Sequence, residues 1–233
     1  MKKSFFSFSM AVLILFVAAV GLCLQTLNDA QAVSAFGSGM RIVLDAGHGG
    51  VDGGVSGVKT GVKESDLNLS ITLFLRDVLS DMGFDVTLTR KTEAGLYGTA
   101  TKGFKRRDME RRKEIIGKAR PDLVISVHQN RYPSQSTRGG QVFYKKEDEK
   151  SGKIAKSVQE KLNTLYGEQG ARPRNSMPAE YFILECSPYP SVIVECGFLS
   201  NAQDEALLTT EGWQKRLAES VASGVVAYLA AVA

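Results

Sequence analysis

The chain has no long block of like charge, no internal repeat and no low-complexity tract. Its 29 basic and 25 acidic residues nearly cancel, which leaves a formal charge of +4 spread along the sequence. That distribution argues against a tail that binds nucleic acid. With 43% hydrophobic and 23% charged residues, the composition excludes a disordered chain and is ordinary for one globular domain of this length.

Long hydrophobic runs are also lacking, except near the N-terminus, where Ala11 to Leu24 is apolar. Lys2 and Lys3 precede this run, and the small-residue triplet Ala30-Gln31-Ala32 follows it. This pattern predicts a secretory signal peptide over residues 1–32. The alternative is an uncleaved membrane anchor, because the apolar segment is just long enough to span a bilayer. We expect the protein to lie outside the cytoplasm and to contact a membrane only through an uncleaved N-terminal segment.

Cysteine is scarce as well. Of three cysteines, Cys23 falls within the signal segment, so Cys186 and Cys196 remain. Outside the cytoplasm these two could form a disulfide, but each lies on a separate apolar run. We therefore expect buried free thiols.

After a short linker, residues 33–39, strand and helix patterns alternate through one domain, residues 40–233. Apolar runs predict strands at 41–45, 84–89, 122–127, 140–145, 181–185 and 191–196. Apolar residues spaced by three and four predict helices at 64–82, 107–119, 150–166 and 211–231. Polar loops are expected at 91–105, 131–139 and 167–180. The alternation predicts an α/β fold: a single three-layer domain with a central mixed, mostly parallel sheet of about six strands flanked by helices.

Both histidines of the chain close predicted strands. His48 follows the run that begins at Ile42, and His128 ends the run that begins at Leu123. Sheets of this kind bind ligands beyond the carboxyl ends of their strands. Glu64 opens the helix after the first strand, and two imidazoles with one carboxylate form a candidate open zinc site.

Each of these three residues has a second interpretation. The glycine-rich turn around His48 is typical of phosphate binding, although no lysine follows it as a P-loop requires. His128 could be a structural histidine. Glu64 could simply favour its helix by lying at the positive end of the helix dipole.

Glu195 is the candidate general base, because it interrupts the apolar strand Val192–Phe198, which has no structural need for a carboxylate. A weaker alternative is a nucleophilic Cys196 with His128 as its base. The basic cluster between Lys105 and Lys113, which includes Arg112, is predicted to be a solvated helix face without a role in the site.

Five sequence blocks, in order, resemble the signature blocks of the zinc-dependent N-acetylmuramoyl-L-alanine amidases of bacterial cell walls. They are Asp45–Gly50, Glu64–Leu69, Thr89–Arg90, Ser126–Asn130 and Val194–Asn201. The resemblance implies that His48, Glu64 and His128 hold zinc and that Glu195 is the catalytic glutamate. It implies cleavage of the amide bond between the muramic acid lactyl group and L-alanine, so the partners are the stem peptide and glycan of peptidoglycan. It also implies an activating accessory protein. Asp45, Gln129 and Asn130 are candidates for orienting the ligands, and solvated turn residues would explain them equally well.

Within that family, the compact form of the chain, with a signal segment and without a wall-binding module, is similar to the sporulation amidases that help make muramic lactam in the spore cortex. Two other function classes stay open on the residues alone. One is a zinc hydrolase of another amide, such as a polysaccharide N-deacetylase, because the same groups serve many amides. The other is a non-catalytic wall-binding protein, which would have no use for a base beside the metal.

Overall fold

Six strands form one sheet in the order β2-β1-β3-β6-β4-β5. The strands are β1 Arg41–Ala46, β2 Asp85–Leu88, β3 Leu123–Asn130, β4 Gln141–Lys145, β5 Met177–Ala179 and β6 Ser191–Phe198. Neighbours pair in parallel except β4, which runs antiparallel to β6. The predicted mixed, mostly parallel sheet of about six strands is confirmed.

The computed structural model describes residues 39–232. The signal peptide predicted for residues 1–32 lies outside the described residues, as does the linker up to residue 38. These boundaries therefore stay predictions. Over the described part of the chain, no helix combines the length and the apolar character needed to cross a bilayer.

Helices cover both faces of the sheet. They are α1 Glu64–Asp81, α2 Phe104–Ala119, α3 Glu149–Gly167, α4 Phe182–Glu185, α5 Ala202–Leu208 and α6 Glu211–Val232. The helices α1, α3 and α6 pack on one face through the larger apolar cluster, and α2 and α4 pack on the other through a smaller one. The predicted three-layer α/β fold is confirmed.

The two apolar clusters follow from the alternation of side chains along each strand. In β1, Ile42 and Leu44 belong to the larger cluster, whereas Val43 between them belongs to the smaller one, and all three are fully buried. Strands covered on both faces are apolar at every position, which explains the continuous runs in the sequence. Burying each such side chain stabilises the fold by roughly 1.5–3 kcal/mol.

The strand predicted for residues 181–185 is wrong, because the structure has the short helix α4 there. The sixth strand is β5 instead, which lies in the predicted loop at 167–180. A short apolar run does not distinguish a strand from a buried helical turn. Here Ile183 and Leu184 are buried against the smaller cluster, whereas Tyr181 and Phe182 are left exposed.

Both remaining cysteines are free, as predicted, but Cys186 is partly exposed and not buried. Cys196 lies in the larger cluster and is fully buried. Successive side chains of a strand point to opposite faces, so this thiol points away from the face that carries Glu195. Burial raises the pKa of Cys196 well above its ordinary value. A nucleophilic Cys196 is therefore wrong.

Candidate metal centre and active site

The turn after β1 brings His48 close to β3. His48 has a positive φ of 60°, a conformation that is uncommon outside glycine. The backbone carbonyl of His48 accepts a hydrogen bond of 2.6 Å from Arg112 Nη2, which holds the turn. Gly47 is required beside it, because a Cβ at this position would lie 2.2 Å from His128 Cε1. Only glycine lets β1 approach the imidazole of His128 this closely.

Glu64 joins the two imidazoles. As the first residue of α1, it places Oε1 2.9 Å from His128 Nδ1 and 3.3 Å from His48 Nε2. Its other oxygen, Oε2, accepts a hydrogen bond from the backbone N–H of Val55 at 2.9 Å. The carboxylate is therefore held in one orientation, with Oε1 between the two rings.

The three predicted ligands thus form one cluster. One candidate donor atom from each of His48, Glu64 and His128 lies within 4.8 Å of the others. The two rings are 5.1 Å apart and nearly perpendicular. Two nitrogens and one carboxylate oxygen are a donor set that divalent transition metals accept.

Asp52 is a member of this site that sequence analysis missed. Its Oδ2 lies 3.1 Å from His48 Nδ1, on the side of the ring opposite Glu64. A carboxylate at Nδ1 favours the tautomer in which Nε2 has a free lone pair. The available signal was an acidic residue four positions after His48 in a glycine-rich turn.

Carboxylates dominate the electrostatics of the cluster. Burial alone would raise the pKa of Glu64, but hydrogen bonds and charge from His128 and His48 outweigh it and hold the pKa well below its usual range. Burial alone would lower the pKa of His48, but Glu64 and Asp52 outweigh it and raise that pKa. Ionised carboxylates around two imidazoles favour a bound cation.

Glu195 lies beside this cluster in β6. Its Cα pairs with that of His128 in β3 and with that of Gln141 in β4. Burial, the largest effect, raises the pKa of Glu195 to about 7. Its Oε2 is buried and has no hydrogen-bond partner within residues 39–232. A buried carboxylate oxygen without a hydrogen-bond partner destabilises the folded state, so its presence indicates a functional role.

A pocket of about 430 Å³ opens over these groups on the face of the sheet covered by α2 and α4. His48, His128 and Glu195 supply polar groups to it. Its apolar walls come largely from α2, α4 and the loop before α2, through Tyr97, Phe104, Met109, Tyr181, Phe182 and Ile183. A concave, mostly apolar pocket with a few convergent polar groups is typical of a substrate site.

An ion pair is buried beneath the turn that carries His48. Arg112 is 1% exposed and contacts Asp45, with 2.5 Å between Nη1 and Oδ1. Burial alone would raise the pKa of Asp45, but the charge of Arg112 and two hydroxyl hydrogen bonds lower it to about 2. The prediction that Arg112 lies on a solvated helix face is wrong. The helix packs over β1, so Arg112 points inward.

Replacing Arg112 with methionine is expected to lower the free energy of unfolding by about 3–5 kcal/mol, because Asp45 would stay buried without its counter-charge. Denaturant unfolding of the folded domain measures this loss. The matched control is Arg111→Met, since Arg111 is exposed and pairs with Glu114 at the surface. Its effect should stay within about 0.5 kcal/mol. Equal stability of the two variants would contradict a structural role for the buried pair.

Of the three residues expected to orient the ligands, one contacts them directly. The backbone N–H of Gln129 donates to Glu64 Oε1 at 3.2 Å. Asp45 is linked to the site only through Arg112, which donates to Asp45 Oδ1 and to the backbone carbonyl of His48. Asn130 Oδ1 accepts from the backbone N–H of Arg131.

A model of the Amidase_3 family, described as N-acetylmuramoyl-L-alanine amidase, matches residues 42–227. The chain belongs to this amidase family. It is an N-acetylmuramoyl-L-alanine amidase that acts on peptidoglycan, as the resemblance implied. Membership favours the amidase over the N-deacetylase and the wall-binding protein.

Relatives and solved structures agree with this assignment. The germination-specific N-acetylmuramoyl-L-alanine amidase of Bacillus subtilis is 34% identical over 194 residues, which cover 82% of this chain and 80% of the relative. The CwlD amidase from Clostridioides difficile was solved in complex with the GerS lipoprotein, and it has a TM-score of 0.78 at 34% identity. The match covers 82% of this chain and 99% of the CwlD chain. The catalytic domain of CwlV from Bacillus (Paenibacillus) polymyxa has a TM-score of 0.68 at 26% identity. The match covers 82% of this chain and 98% of the CwlV chain.

Proposed function

We propose that this amidase is zinc-dependent, with His48, Glu64 and His128 as the ligands and Glu195 as the general base. The observation that carries the proposal is the cluster of three donor atoms within 4.8 Å of one another. Two imidazole nitrogens and one carboxylate oxygen match the three-ligand pattern of catalytic zinc sites. The glycine at position 47, where a Cβ would collide with His128, leaves room for that arrangement.

When bound, zinc supplies Lewis-acid chemistry, since it polarises a carbonyl group and makes water more acidic. Glu195 would accept the proton of the attacking water and then deliver it to the leaving amine of L-alanine. Its unpartnered Oε2 and its place opposite His128 in the sheet support this role. Asp52 would keep the imidazole of His48 oriented throughout.

The substrate proposed for this activity is the peptidoglycan of the spore cortex, where release of stem peptides leads to muramic lactam. Support comes from the identity of 34% both to the germination-specific amidase of Bacillus subtilis and to CwlD from Clostridioides difficile. The protein would reach this substrate outside the cytoplasm through the signal segment predicted at residues 1–32.

An accessory partner is part of the proposal. CwlD was solved in complex with the GerS lipoprotein, and this amidase covers 99% of that CwlD chain. We therefore expect a lipoprotein partner to raise the activity of the isolated amidase. Assays should be run with and without such a partner in equal amount.

Mass analysis of digested sacculi tests the activity. The zinc-loaded protein should release free stem peptides, whereas release of acetate would indicate an N-deacetylase. The cortex role is tested in a spore-former that lacks its germination-specific amidase. This chain should restore muramic lactam there, and Glu195→Gln should not. Peptide release without restored lactam would retain the activity and contradict the cortex role.

Replacing Asp52 with asparagine is expected to weaken zinc binding by about 10- to 100-fold, because groups that orient a ligand contribute on that scale. Competition with a chelator of known zinc affinity measures the change. The control is Asp66→Asn, an exposed aspartate in the first turn of α1. Equal zinc affinity of both variants would show that Asp52 does not orient His48.

A further inference from the structure

A second cleft, rich in arginine, lies at the same edge of the sheet as the catalytic pocket. It has a volume of about 570 Å³ and is formed by the loop after β3 and the segment before β5. Three residues that line it are Arg138, Arg172 and Arg174. Strands β3 and β6 end at this edge, and β4 and β5 begin there because they run in the opposite direction.

One residue lies between this cleft and Glu195. Gln141 is the first residue of β4, and its Cα pairs directly with that of Glu195. Side chains that are directly opposite in an antiparallel pair lie on the same face of the sheet. Arg174 Nη1 is 3.4 Å from Gln141 Oε1. Gln141 therefore separates Arg174, at the border of the cleft, from the proposed general base.

Arg174 is held in place by neutral groups. Its Nε donates to the backbone carbonyl of Arg138 at 3.2 Å, and its guanidinium carbon lies 4.8 Å from the ring centroid of Phe198. The side chain of Asn163 bonds both the backbone N–H and the backbone carbonyl of Arg174. Within the described residues no carboxylate pairs with Arg174. Its positive charge is thus oriented but not neutralised.

The other two arginines differ in their partners. Arg138 Nε lies 3.3 Å from the buried carboxylate of Asp204, so its charge is compensated. Arg172 is exposed, and its guanidinium has no hydrogen-bond acceptor in the part of the chain that the structure describes. Two uncompensated guanidinium groups in one cleft fit a carboxylate, because the planar fork of arginine matches that anion.

We propose that this cleft binds a carboxylate of the stem peptide, with Arg172 and Arg174 as the recognising groups. The inference rests on the proposed function and names the part of the substrate that this side of the site holds. The stem peptide continues from the amide nitrogen that is released at Glu195, and it carries carboxylates. The glycan carries no charge where its lactyl group is part of the amide. A long anionic wall polymer would need an extended basic surface, whereas this cleft is confined to the edge beside Glu195.

Calorimetric titration of the mature, zinc-loaded protein tests the binding. The three probes are a synthetic stem tetrapeptide, the same peptide with its carboxylates amidated, and inorganic phosphate. The free-carboxylate peptide should bind about tenfold more tightly than the amidated one, as expected for charge-assisted hydrogen bonds. Arg174→Gln should abolish this preference, Arg174→Lys should restore part of it, and the exposed Arg172→Gln should reduce it without a change in melting temperature.

Arg41→Gln is the matched control, because Arg41 is an exposed arginine at the opposite edge of the sheet. It should leave the preference unchanged. Equal binding of the two peptides by the unmodified protein would overturn the inference. Phosphate that displaces the peptide at equal concentration would also overturn it, by making the cleft a general anion site.

Kinetics separate this inference from the proposed function. With muropeptide substrates, the variant carrying Arg172→Gln and Arg174→Gln should have a KM raised about tenfold for the free-carboxylate substrate, with kcat nearly unchanged. A loss of kcat/KM that is equal for free and amidated substrates would indicate only structural damage and overturn the inference. If the unmodified protein binds the free peptide preferentially but releases none, the proposed function fails and the carboxylate site stands.

Discussion

Glu195→Gln is expected to lower the release of stem peptide by about 10²-fold or more, while folding and zinc content stay unchanged. Glutamine keeps the shape and the hydrogen-bonding reach of the side chain but has no basicity. Stem-peptide release from muropeptides should be assayed with folded, zinc-loaded protein, and any accessory protein should be supplied in equal amount.

The matched control is Glu160→Gln, an exposed glutamate on α3, on the opposite face of the sheet from the pocket. It should keep full activity. A structural Glu195 paired with a buried cation would behave differently, because its loss would destabilise the fold by several kcal/mol. Near-normal peptide release by Glu195→Gln would remove this residue from the mechanism.

His128→Ala is expected to reduce bound zinc from about one ion per chain to almost none, since a site with two remaining ligands is a poor chelate. His48→Ala should have the same effect. Elemental analysis after dialysis measures the zinc content, and circular dichroism confirms that the variants are folded.

The chain has no third histidine to serve as a control. Asn130→Ala in the same strand serves instead, because Asn130 Oδ1 bonds the backbone N–H of Arg131 and not the cluster. It should keep its zinc. A folded His128→Ala protein with full zinc content would show that the metal, if bound, lies elsewhere.

Much of the fold follows from local pattern. The spacing of Leu67, Ile71 and Leu75 predicts α1, and the apolar runs of β1, β3 and β6 are long because both faces of these strands are buried. Residues 181–185 show the limit of such patterns. That run is too short for its periodicity to separate a strand from a helical turn, and contact with the smaller cluster selects the helix.

The candidate site was likewise predictable only in part from the sequence. The sequence alone placed His48 after a strand, Glu64 at a helix start and Glu195 inside a strand, because these positions depend only on local pattern. It also placed His128 at the end of its strand, whereas β3 continues to Asn130. The partners of these residues depend on contacts between distant segments. Arg112, for example, lies in a run of basic residues. It pairs with Asp45 only because α2 packs over β1.

The sequence by itself determined the α/β class, the chemical types of the site residues and the resemblance to a family of amidases. The tertiary structure decided that Glu64 lies between the two imidazoles, that Asp52 contacts His48 Nδ1, and that Arg172 and Arg174 line one cleft. The physical reason is that periodicity encodes which face of an element is buried. It does not encode the sheet register and loop geometry that bring side chains from distant parts of the chain within hydrogen-bonding distance.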